Sequence, residues 1–219
     1  MTRIKRKTDS ISEHTVNRLS LYLRCFSRLR EEGVKTISSH RLAGLFQLNS
    51  AQIRKDLACF GEFGVRGVGY YVEDLIDHIT RILGLDRQFN IAIFGAGHLG
   101  QALADHGRFN SQGFRVVALF DNNPLKIAKQ TRRGAPIIDV SRCEDVLHEE
   151  EIVIAVLAVP GPAAQALADR LAAAGIRAIL NFTPVSLKVP PQVKLNTVDL
   201  SVQMENLAFF LTHPDARST

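Results

Sequence analysis

Residues 90–100 read N-I-A-I-F-G-A-G-H-L-G, an apolar run that passes directly into glycines at 95, 97 and 100. This G-x-G-x-x-G spacing constrains the fold more than any other stretch, because each glycine has its own steric task. Gly95 permits a tight strand-to-helix turn, Gly97 lets a pyrophosphate approach the backbone, and Gly100 lets the helix pack closely on a sheet. Phosphates on the loop Gly95-Ala96-Gly97-His98-Leu99-Gly100 would meet free N–H groups and the positive end of a helix dipole. The next apolar run, Val116 to Phe120, ends on Asp121. A carboxylate at that distance takes both hydroxyls of an adenosine ribose and disfavours a 2′-phosphate. The pattern predicts a dinucleotide site that favours NAD(H), as NAD⁺ or NADH, over NADP(H).

From Asn90 onward, apolar runs alternate with helical spacing. Strands are expected at Ile91–Phe94, Arg115–Phe120, Ile137–Ile138, Ile152–Val159, Ala178–Asn181 and Val193–Val198. Helices are expected near Leu99–Arg108, Pro124–Lys129, Cys143–Glu149 and Ala163–Ala174. Alternation of this kind builds a parallel sheet covered on both faces, with ligands at the carboxyl ends of the strands. Val159 and Pro160 therefore join the glycine loop and Asp121 at one crevice. A last amphipathic helix, Ser201–Thr212, is unusually apolar for a tail and is expected to pack on another subunit or on the N-terminal domain.

The first 87 residues have a different pattern. Val16, Leu19, Leu23, Phe26 and Leu29 recur at helical steps within Ser10–Glu32, and Gly33 ends that helix. Ser38 or Ser39 can cap a short helix over His40–Phe46. After the turn Gln47-Leu48-Asn49, Ser50 starts a third helix that runs to about Phe60. Two short helices joined so briefly suggest a helix-turn-helix. The glycine-rich Gly61–Val72 segment fits a β-hairpin, and Glu73–Leu83 resumes helical spacing. Together these elements make a winged helix. The chain is thus expected to be α/β, with a winged-helix domain (1–86), a Rossmann-like domain (87–200) and a C-terminal helix with its tail (201–219).

Charge separates the two halves. Residues 1–87 hold 15 Lys and Arg against 10 Asp and Glu, whereas 88–219 hold 12 of each. The whole positive excess therefore precedes the glycine loop and points to a polyanionic partner for the N-terminal part. In Ser50-Ala-Gln-Ile-Arg-Lys-Asp-Leu57, Ile53 and Leu57 face inward. Ser50, Gln52, Arg54 and Lys55 remain for base edges and phosphates in a major groove. Asp56 is expected to stabilise the local fold, since a carboxylate beside phosphates is repelled. Arg66 and Gly67, at the tip of the proposed wing, can place a guanidinium in a narrow minor groove.

Cys25, Cys59 and Cys143 are odd in number and widely spaced, so neither a disulfide framework nor a metal cluster is expected. No apolar run is long enough for a membrane span, and the basic N-terminus leads into no signal core, which favours the cytoplasm. An NAD-dependent dehydrogenase is disfavoured: there is no room for a substrate domain, and His98 and His106 lack a catalytic partner at useful spacing. A regulator that senses another nucleotide-like ligand, such as coenzyme A, is the third reading, and Asp121 argues against it.

S-A-Q-I-R-K-D-L followed by F-G-E-F-G-V-R-G-V-G-Y resembles the signature of the bacterial Rex family of redox-sensing transcriptional repressors. The likeness continues through G-A-G-H-L-G-Q-A-L-A, F-D-N-N-P, A-G-I-R-A-I-L-N-F-T-P-V and V-D-L-S, from about Val16 to Leu211. It implies a homodimer with a domain-swapped C-terminal helix, bound to a two-fold symmetric operator in double-stranded DNA. It also implies release of that operator when NADH rises relative to NAD⁺, with no enzymatic step. By position it assigns Arg54, Lys55 and Arg66 to DNA, and Arg24 and Asp199 to a charged pair that couples the domains. Without the resemblance, Arg24 reads as a surface cation and Asp199 as a helix N-cap. One departure stands out: His106 occupies the place near the nicotinamide where the family usually carries tyrosine.

Overall fold

The computed structural model describes residues 11–110 and 113–213. The expected helix start at Ser10 and the tail from Pro214 lie outside the described residues. The chain forms two compact units, Met1–Arg87 and Gln88–Thr219.

In the first unit, α1 (Glu13–Glu31) is capped by Ser12, whose side chain accepts from the Thr15 N–H. Leu19, Phe26 and Leu29 point from one stripe of α1 into the core and are essentially fully buried. They meet Leu42 of α2 (Ser39–Phe46), Ile53 and Leu57 of α3 (Ser50–Ala58), and Ile79 of α4 (Val72–Ile82). Ser38 caps α2. The α3 cap is Asn49, whose carbonyl oxygen accepts from the Ala51 and Gln52 N–H groups.

The expected hairpin over Gly61–Val72 is corrected. Within it, the pairing consists of a single antiparallel bridge, Val65 to Gly69, around a turn with Gly67 at φ +82°. Strand β2 (Tyr70–Tyr71) pairs instead with β1 (Thr36–Ile37), an element the sequence pattern did not suggest. Gly69 decides this. It sits at φ +96°, and a Cβ there would lie 2.5 Å from the Ile37 carbonyl oxygen. Only a glycine lets the two backbones come so close.

The second unit is a six-stranded, fully parallel sheet. Its strands are β3 (Phe89–Phe94), β4 (Phe114–Asp121), β5 (Ile137–Asp139), β6 (Ile154–Leu157), β7 (Ala178–Asn181) and β8 (Lys194–Thr197), in the order β5-β4-β3-β6-β7-β8. That is the doubly wound order, with the reversal between β3 and β6. Alternate side chains serve two cores. Ala92, Phe94, Ala118 and Phe120 face one layer, and Ile91, Ile93, Val116 and Leu119 face the other. Burial on both faces explains why these strands read as continuous apolar runs.

The connecting helices are α5 (His98–Asp105), α6 (Cys143–Glu149) and α7 (Gly161–Ala173). Pro124–Lys129 is not the expected helix but a series of turns. Ala128 has φ +64°, and its N–H goes to the Ile137 carbonyl rather than to a helical partner. A final helix, α8 (Leu200–Thr212), buries none of its residues within the chain.

Candidate nucleotide site and nucleic-acid interface

The loop from β3 to α5 separates the three glycines by function. Gly95 has φ +100°, and a Cβ on it would stand 2.3 Å from the Ala158 carbonyl oxygen. A Cβ on Gly100 would stand 1.8 Å from the Gly95 carbonyl oxygen. Both positions are closed by the protein itself. Gly97 is different: a Cβ there would meet nothing within 4 Å, and its φ of −77° suits any residue. The fold does not need glycine at 97, so the space is left for something that approaches the backbone at the N-terminus of α5. That is where a phosphate binds favourably.

This loop opens onto a cleft of about 730 Å³ lined by Gly95, Gly97, Asp121, Val159 and Pro160. Phe94 and Phe120 form part of its wall, with rings stacked 4.9 Å apart. Asn123, Lys126, Val140, Ala163, Leu167 and Arg170 also line it, although sequence spacing did not single them out. Ala96 contributes its N–H, which donates to Asp121 at 2.8 Å. His98 and Leu99 are exposed on the first turn of α5. His106 lies at the opposite end of α5, exposed and outside the cleft lining, with Nδ1 accepting from the Arg108 N–H at 3.3 Å.

Asp121 ends β4 and is already well bonded. Oδ2 accepts from Ala96 N–H and from Lys126 Nζ at 2.9 Å, and Oδ1 accepts from Asn123 N–H at 2.9 Å. Burial alone would raise its carboxyl pKa, but the bonds from Lys126, Asn123 and Ala96 outweigh it and hold the group below its ordinary value. The site therefore keeps an ionised carboxylate with an ammonium beside it. Arg170, which also lines the cleft, is paired with Glu144 and holds that carboxyl down at about 2. Buried Cys143 beside Glu144 is pushed up to about 11, first by burial, and stays a protonated thiol.

In the first unit, Arg54 and Lys55 are exposed on α3, and Arg66 and Gly67 are exposed on the turn. Arg54 Nη1 donates to Ser39 Oγ at 3.0 Å. Beneath them, Asp56 is 2% exposed and accepts four donors. Arg18 Nε reaches Oδ2 at 2.6 Å and Arg18 Nη2 reaches Oδ1 at 2.7 Å. Tyr22 Oη reaches Oδ2, and Gln52 Nε2 reaches Oδ1, both at 2.8 Å. Burial would raise the Asp56 carboxyl, but these bonds hold it below its ordinary value. Asp56 is thus the local scaffold that its charge suggested, and Gln52 has one amide hydrogen committed to it.

Arg24 is exposed on α1. Asp199 caps α8, with Oδ1 accepting from the Ser201 N–H at 2.9 Å and from the Ser201 hydroxyl. Among the described residues, no group of His, Cys, Asp or Glu is placed to hold a metal ion, and no helix is long and apolar enough to cross a membrane.

These features define a class: a winged-helix unit on the same chain as a Rossmann-like unit whose glycine loop opens onto a cleft. Two family models divide the chain in the same way. "Putative DNA-binding protein N-terminus" matches residues 10–58, and "CoA binding domain" matches residues 86–185. Redox-sensing transcriptional repressor Rex of Desulfitobacterium hafniense is 46% identical over 203 residues, covering 93% of this chain and 96% of the relative. Its counterpart from Syntrophomonas wolfei is 48% identical over 205 residues, covering 94% and 97%. A crystal structure of RSP in complex with NAD⁺ and operator DNA is 40% identical, with a TM-score of 0.89 over 94% of both chains. RSP in complex with NADH is 39% identical, with a TM-score of 0.84 over 94% of this chain and 96% of that one. The chain belongs to the Rex family of redox-sensing transcriptional repressors. It is a regulator and not an enzyme.

Proposed function

We propose that this protein represses transcription from a two-fold symmetric operator and releases it when NADH rises relative to NAD⁺. The observation that carries the reading is the open position at Gly97, between two glycines whose Cβ positions are blocked. A dinucleotide pyrophosphate lies there, and Asp121 receives the adenosine ribose. Solved relatives at 39–40% identity hold NAD⁺ with operator DNA, or NADH, which supports both ligands.

The working unit is a homodimer in the cytoplasm. Its support is α8, whose apolar side chains Leu200, Met204, Leu207 and Leu211 are 59–82% exposed in the single chain. A swap of this helix between subunits would bury them. The nicotinamide sits where two Rossmann-like units meet. His106, outside the cleft of its own chain, acts at that junction. Neutral dihydronicotinamide is buried there more readily than the cationic oxidised ring. NADH therefore favours a closed pose in which the two winged helices no longer match the half-site spacing. Arg24 and Asp199 carry this change between the domains. Gln52, Arg54, Lys55 and the α3 N-terminus at Ser50 read the major groove, and Arg66 with Gly67 enters the minor groove.

A gel-shift titration of the operator with NAD⁺, NADH and NADPH tests the reading. Loss of the shifted band with NADH alone is expected. Equal loss with all three, or with none, contradicts it.

A further inference from the structure

Asp56 does more than tie α1 to α3. Its two oxygens accept from Arg18, Tyr22 and Gln52, and an ionised carboxylate has no hydrogen to offer. The Gln52 amide must therefore turn its nitrogen towards Asp56. The opposite orientation would press two acceptors together. Gln52 is in the first turn of α3, half-buried, four positions before Asp56. Among the described residues, no donor reaches its carbonyl oxygen.

Resting on the reading that α3 enters the major groove, we propose that Asp56 locks Gln52 as a specificity-determining side chain whose carbonyl oxygen faces the bases. Each operator half-site then presents an exocyclic amino group to it, adenine N6 or cytosine N4, and not the keto oxygen of guanine or thymine. The second amide hydrogen also remains available, so adenine, with N7 beside N6, is matched at two points and cytosine at one. An amide fixed before binding loses less conformational freedom on the DNA than a freely rotating one. Asp56 is the positioning residue in this arrangement, and Gln52 makes the contact.

The test uses the full chain and a duplex that it selects from a randomised library. Each adenine is replaced in turn by purine and each cytosine by pyrimidin-2-one, which removes the amino group alone. Affinities are read by fluorescence anisotropy. At one position per half-site, wild type is expected to lose about five- to tenfold, and Gln52→Ala less than about twofold. The replaced base distinguishes adenine from cytosine. At that position a keto base, hypoxanthine or uracil with its matching partner base, is expected to bind wild type more weakly than the amino-free base, because the fixed Gln52 carbonyl oxygen then faces a second acceptor. Absence of such a position on a duplex that wild type still binds overturns the proposal. So does an equal loss in Gln52→Ala, or a keto base that binds as well as the amino base. A wild-type chain that selects no duplex overturns the underlying DNA reading as well.

Discussion

A Cβ placed on Gly100 would stand 1.8 Å from the carbonyl oxygen of Gly95, so the first turn of α5 packs directly against the strand-to-helix turn that precedes it. Gly97, between them, has open space on its side-chain side. Gly100→Ala is therefore expected to destabilise the second unit by about 2–4 kcal/mol, as overpacking against backbone does. Gly97→Val is expected to keep its melting behaviour and lose nucleotide affinity by at least about tenfold. Calorimetry for stability and titration with NADH separate the two effects. A Gly97→Val chain that binds NADH normally contradicts the assignment.

The Arg18–Asp56 pair makes stability depend on acid in a defined direction. The Asp56 carboxyl is held below 3.8, so its contribution is fully present above that pH and fades as pH falls through the lower folded-state value. Asp56→Asn is expected to cost about 2–3 kcal/mol near neutrality, a figure reduced because Arg18 is one-third exposed. That gap should narrow below about pH 4. The chain has no tryptophan, and its three tyrosines, Tyr22, Tyr70 and Tyr71, all lie in the first unit. Tyrosine fluorescence during urea unfolding therefore reports this unit alone. A gap that stays constant into acid contradicts the ion pair.

Lys126 sits 2.9 Å from Asp121, the carboxylate proposed to turn away a 2′-phosphate, and offsets its charge. Lys126→Met is expected to weaken NADPH about tenfold more than NADH, because the carboxylate then meets the phosphate without its counter-ion. Competition binding measures the ratio. An unchanged ratio removes Lys126 from nucleotide discrimination.

Exposed apolar side chains on α8 call for a partner. Leu207→Asp with Leu211→Asp, at positions 59% and 82% exposed in the single chain, is expected to give a folded monomer. It should lose at least about tenfold in operator affinity, since one half-site then binds without the other. Sedimentation shows the state directly. A double variant that remains dimeric contradicts the swapped-helix reading.

The parts of this molecule legible in sequence were those fixed by local periodicity or by backbone sterics. The central strands β3, β4 and β6 showed as apolar runs because both of their faces are buried. Gly95 and Gly100 announced a turn that excludes side chains, and the charge of Asp56 beside Arg54 and Lys55 already argued for an inward scaffold. Non-local pairing was not legible. Two-residue β1 exists because Gly69 admits the Ile37 carbonyl, a contact that no pattern within either segment encodes. Pro124–Lys129 has helical composition, yet Ala128 gives its N–H to Ile137 on β5. Lys126, within that series of turns, reaches Asp121. The commitment of Gln52 to Asp56 could be guessed from their four-residue separation on a helix. Its meaning depends on Arg18 and Tyr22, more than thirty positions away.

The measurement that bears most directly on the redox switch is the equilibrium dissociation constant of NADH with and without saturating operator. Two sites coupled by roughly 1–3 kcal/mol must weaken one another by the same factor, about 5–150-fold. The expected result is an NADH affinity that falls in the presence of operator by the factor with which NADH lowers operator affinity. An NADH constant that operator leaves unchanged contradicts the coupling.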